Sequence, residues 1–159
     1  MKNITPLLVA ALASTLFFFA FKPNPTAGMR KADTPGVIKA IGKTQSEHEF
    51  IFERWQFTEA EMQDEKVENI KLEAEIDCTS LTGEWDDLVK GIKKKKDYFY
   101  IAEFPTAKVM VDGAVDQGDG TWLTNAQVTI KKFTKEVPLT FTISDSKPYE
   151  VVGQGMIKR

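Results

Sequence analysis

The sequence predicts an all-β protein, an antiparallel barrel or sandwich with one short helix inserted between strands. Three observations predict it. Beyond residue 46 the dominant hydrophobic period is two, a single segment carries the helical period, and turn-forming residues separate the runs. Strands that are apolar on one face only must curl or pair to bury that face.

The chain opens with MKNITPLLVAALASTLFFFAF. Lys2 precedes an apolar run from Leu7 to Phe21, shorter than the roughly 20 residues that cross a bilayer as a helix. Residues 1–27 read as a signal peptide, and the expected location is periplasmic or secreted after cleavage. Residues 28–45 read as a linker or irregular segment, because KPNPTAGMRKADTPG is rich in Pro, Gly and small polar residues. Residues 46–159 are left for the folded domain.

His48 to Phe57 is aromatic-rich and expected to be extended. From Lys66 to Cys78, Ile70, Leu72, Ala74, Ile76 and Cys78 alternate with Lys71, Glu73, Glu75 and Asp77, the pattern of a half-buried strand. Cys78 lies on the inward side of that alternation and reads as a small buried hydrophobe. Further strands are expected at Ala107–Asp112, Trp122–Lys131, Val137–Ile143 and Tyr149–Ile157, with Gly153 and Gly155 marking a bulge or a close approach. Asp116–Gly120, Lys132–Lys135 and Ser144–Pro148 supply the turns.

One segment breaks the period. Trp85, Leu88, Val89 and Ile92 recur at helical spacing, with Asp86 and Asp87 early and Lys93 to Lys96 late, as the helix dipole favours. Thr82 is the expected N-cap. The aromatic stretch DYFYIAEFPTAKV follows directly, and its rings must either plug a core or line an apolar space.

Composition argues against several chemistries. The one cysteine permits no internal disulfide, so stability rests on packing. His48 is the one histidine, no Cys/His cluster has metal-ligand spacing, and GQG at 153–155 lacks the spacing of a phosphate loop. No enzyme activity, metal or cofactor is expected. Without residues 1–27 the chain has 19 basic and 23 acidic side chains, a balance that favours neither nucleic acid nor anionic lipid.

Four stretches, in order, resemble the YceI-like family of polyisoprenoid-binding proteins. They are AEIDCTSLTG, KKKDYFYIAEFPTAKV, VTIKKFTKEVPLTF and YEVVGQGMIKR. The resemblance covers Lys66 to Arg159. KTQSEHEFIFERWQF is only loosely similar to the family's opening strand, Lys132 stands where the family has Gly, and the family pattern continues past the position of Arg159 with a closing strand.

The resemblance implies a lipocalin-like barrel that binds an isoprenoid or other long-chain lipid outside the cytoplasm. A last strand left unpaired would invite a homodimer. Under this reading Trp85, Leu88 and Ile92 lie over Tyr98, Phe99 and Phe104 at the barrel mouth. Ile76, Val109 and Trp122, with Val128, Ile130, Leu139 and Phe141, line the interior. The alternative is a secreted stress-related or interaction barrel in which the same residues fill the core and no small ligand binds.

Overall fold

A computed structural model describes residues 14–21, 38–43, 47–145 and 149–158. Among the described residues, eleven strands and one α-helix follow one another: β1 (Ser14–Phe21), β2 (Ile38–Lys43), β3 (Glu47–Phe52), β4 (Trp55–Met62), β5 (Ile70–Asp77), β6 (Leu81–Gly83), α1 (Asp86–Lys94), β7 (Thr106–Asp112), β8 (Val115–Asp116), β9 (Trp122–Ile130), β10 (Phe133–Ile143) and β11 (Val151–Lys158). All pairings among the described strands are antiparallel, in the order β4-β5-β7-β9-β10-β11-β1-β2-β3-β6, with β8 beside β9.

The two ends of that order belong together. Only Glu53 and Arg54 separate β3 from β4, and one 3-10 turn, Cys78–Ser80, separates β5 from β6. β3 pairs β6 and β4 pairs β5, so two bent strands run side by side and the sheet curls back on itself. This is the antiparallel barrel expected from the alternation, with its helix between β6 and β7.

The corner is held by the residues of the Asp77–Thr82 motif. Ser80, 4% exposed, donates through Oγ to the Asp77 carbonyl at 2.6 Å and accepts from the Arg54 backbone N–H at 3.0 Å. Asp77 caps the 3-10 turn by accepting from the Thr79 N–H at 2.8 Å and from Arg54 Nε at 2.9 Å. Lys93 of α1 donates to the Thr79 carbonyl at 2.8 Å and ties the helix to the same turn. These polar residues build the bend.

Period two places the core. β7 alternates exposed and buried from Thr106 to Asp112, and Ala107, Val109 and Val111 are its buried set. Ala126 and Val128 on β9, and Val137, Leu139 and Phe141 on β10, continue the apolar wall. Thr124 is buried among them and donates to the Gly113 carbonyl at 2.7 Å. Among the described residues no buried side-chain nitrogen or oxygen lacks a hydrogen-bond partner, as an apolar interior requires.

Several elements depart from expectation. Ile38–Lys43, inside the stretch read as linker, is a strand paired with β3, and its buried Ile38 and Ala40 carry the two-residue alternation. Ser14–Phe21, inside the apolar run read as an export signal, lies in register between β11 and β2. Thr82 does not cap the helix, because it sits in β6 and donates to the Ile51 carbonyl at 3.4 Å. Trp85 takes the N-cap position, with no side-chain cap bond. The β9–β10 turn is Lys131–Lys132, shorter than expected and starting one residue earlier. Gly153 and Gly155 mark no bulge, since their pairing with β10 is regular. They mark a close approach. A Cβ at Gly153 would meet the Phe141 Cβ at 3.0 Å, and one at Gly155 would meet the Pro138 carbonyl at 3.1 Å.

Candidate functional site

The site is an apolar slit in the barrel wall and interior. Phe57, Leu72, Ala74, Val109 and Val111 line one side, from β4, β5 and β7. Leu139, Phe141, Val151 and Gly153 line the other, from β10 and β11. None of the eight side chains is polar, and Gly153 has none. The sheet explains the set: Leu72 faces Val111 and Ala74 faces Val109 across β5 and β7, while Phe141 faces Gly153 across β10 and β11. The missing side chain of Gly153 lets β11 close against the Phe141 ring.

The free space in the slit is about 20 Å³. That is room for about one water, with no polar partner to hold it. Around this slit the described side chains leave little free space.

The end beyond Ala107 and Ile130 is closed by α1 and the aromatic stretch. Val89 and Ile92 are buried in the core. Phe99 sets its ring edge-on to Phe52, centroids 5.7 Å apart, and Tyr98 and Ile101 pack beside it. Backbone bonds run from Phe99 N–H to the Ile92 carbonyl at 3.2 Å and from Ile101 N–H to Lys93 at 2.9 Å, winding the stretch onto the helix end. Tyr98 and Phe99 are therefore part of a plug, while Tyr100 and Phe104 border an outer groove.

The thirteen residues singled out from the sequence divide into three groups. Val109, Leu139 and Phe141 line the slit. Ile76, Ile92 and Val128 are buried elsewhere in the core, and Leu88, Tyr98, Phe99, Trp122 and Ile130 are partly buried against it. Trp85 and Phe104 lie elsewhere. Trp85 is 60% exposed and turned to His48, ring centroids 4.8 Å apart, so it does not cover a mouth. Phe104 lies in an outer groove beneath Lys132, 5.4 Å from ring centroid to Nζ. The sequence reading placed the opening beside the helix, whereas the slit lies at the other end of β7, toward Val111. Phe57, Leu72, Ala74, Val111, Val151 and Gly153 were missed as lining. Alternation marks Leu72, Ala74 and Val111 as inward, but nothing local tells which inward residues border free space.

The titratable groups nearby serve structure. Burial, with the Asp77 charge beside it, pushes the Cys78 thiol up to about 12, so it stays protonated. Partial burial raises the Asp77 carboxyl, but hydrogen bonds from Thr79 and Arg54 outweigh it and hold the group below its usual range.

The YceI-like domain family matches residues 39–159, about three quarters of the chain. Among curated proteins no sequence matches. Among solved structures, the Burkholderia cenocepacia protein BcnA superposes with a TM-score of 0.55 at 12% identity, covering 91% of this chain and 96% of its own. A polyisoprenoid binding domain from Saccharophagus degradans, implicated in plant cell wall breakdown, gives a TM-score of 0.46 at 12% identity over 92% of this chain and 93% of its own. BcnA shares the fold described above, and the family match spans β3 to β11 entire: the chain belongs to the YceI-like family.

Proposed function

We propose that the protein binds the apolar chain of a long lipid, a polyisoprenoid or isoprenoid quinone, in its barrel interior and carries it outside the cytoplasm. The observation that carries this reading is the lining of the slit, nine apolar residues converging from both walls. A prenyl tail needs apolar surface and no charged partner, at roughly 25 cal/mol per Å² of area removed from water. Membership of the YceI-like family supports the same class of ligand. Ligand pockets measure roughly 300 Å³ or more, so binding on this account moves the wall bearing Leu72 and Val111 away from the wall bearing Phe141 and Gly153.

One observation favours a second reading. The slit holds only about 20 Å³, which is the filled barrel of an interaction protein with no small ligand.

A photoactivatable isoprenoid separates the two. After irradiation and digestion, the carrier reading expects label on peptides bearing Val109–Val111 and Leu139–Phe141. Label confined to residues 1–27, or none, overturns it.

A further inference from the structure

The whole chain has a net charge of −2, yet one face is basic and aromatic. Lys96, Tyr100, Phe104, Lys131, Lys132 and Phe133 border an open groove of about 280 Å³, with Glu103 as the acid in its lining. The groove lies where the plug meets the β9–β10 turn, at the end of the barrel away from the slit. Three lysines against one glutamate leave it positive, and Lys94, Lys95 and Asp97 adjoin it in the chain, for a net positive balance.

The lysines do not converge on a point. Lys96 Nζ stands 5.7 Å from the Tyr100 ring centroid, and Lys131 donates to the Lys96 carbonyl. Lys132 covers the Phe104 ring and meets Glu103 at 3.8 Å. Phe133 is 72% exposed where β10 leaves the two-residue hairpin turn. A small anion would find no cage of donors. A broad anionic surface would meet several ammonium groups together, with a ring placed to enter its apolar margin.

We infer that this face docks the protein on an anionic lipid bilayer, with Phe133 inserted at headgroup depth and Lys96, Lys131 and Lys132 against the lipid charges. The inference does not depend on cargo in the barrel, because the groove and the slit share no residue.

Co-sedimentation of the full chain with vesicles tests it. The vesicles are phosphatidylcholine alone or mixed equally with phosphatidylglycerol. Each basic residue near such a surface is worth about fivefold in affinity, so Lys131→Gln with Lys132→Gln weakens binding to the mixed vesicles about 25-fold. Phe133→Ser weakens it further, Lys132→Arg preserves it, and added salt reduces it. All variants keep the apolar residues 7–21, so differences among them read the groove alone. Thermal melts select the variants that fold. Equal binding to both vesicle types overturns the inference, as does binding untouched by the substitutions. Retention on heparin without vesicle binding overturns it in favour of a polyanionic macromolecule.

Discussion

Phe141→Ala is the most informative perturbation of the interior. The Phe141 side chain is 3% exposed, borders the slit, and stands across from Gly153 on one side and Trp122 on the other. A neighbour without a side chain cannot swing in to refill the space, so little collapse is expected. Losing the ring forfeits about 2 kcal/mol of transfer energy. A residual cavity on the order of 100 Å³ adds about 2.4 kcal/mol at 24 cal/mol per Å³, for a total within the usual 3–5 kcal/mol. For a chain of this size that lowers Tm by roughly 9–18 °C. Urea and thermal unfolding read the loss. A benzene-sized solute should then stabilise the variant more than the parent, since an apolar cavity of that scale stays dry and accepts such solutes. A loss under about 1 kcal/mol would refute the packing described for the slit.

Other expectations follow from single residues. Cys78 is 1% exposed and its thiol is pushed up to about 12, so it should resist thiol reagents at pH 8 in the folded protein and react fully in denaturant. Asp77→Asn removes a carboxylate whose folded pKa is depressed. Its stabilisation is present above the unfolded value of about 3.9 and fades as pH falls through the folded one, so the stability gap between parent and variant should be open at pH 7 and narrow below about pH 4. Lys131 holds a φ of 58° in the hairpin turn. Lys131→Gly relieves that left-handed strain and should raise stability by about 0.5–1 kcal/mol in chemical denaturation.

The alternation along Ile70–Cys78, Ala107–Val111 and Val137–Phe141 was enough to read the sheet, because a half-buried strand records its two faces directly in sequence. The helix was legible for the same reason, since its buried Val89 and Ile92 lie three residues apart. The strand at Ile38–Lys43 was hidden by the Pro- and Gly-rich residues before it and by its short length. The β3–β4 corner was hidden because Ser80 and Asp77, which hold it, lie more than twenty residues away from Arg54. The slit was the least legible part. Whether an inward residue borders free space depends on the volumes of neighbours from other strands, and Gly153 opposite Phe141 is a long-range fact. The aromatic stretch points to the helix end as a mouth, but Tyr98 and Phe99, wound onto α1 through Phe99 and Ile101, close that end.

The central claim is that this barrel carries a lipid, and native mass spectrometry tests it most directly. The protein is purified from its own host without detergent and weighed before and after organic extraction. The account predicts a stoichiometric adduct that extracts as a prenyl or quinone species. An unliganded mass that persists after incubation with host lipids would contradict it and leave the filled barrel as the function-bearing form.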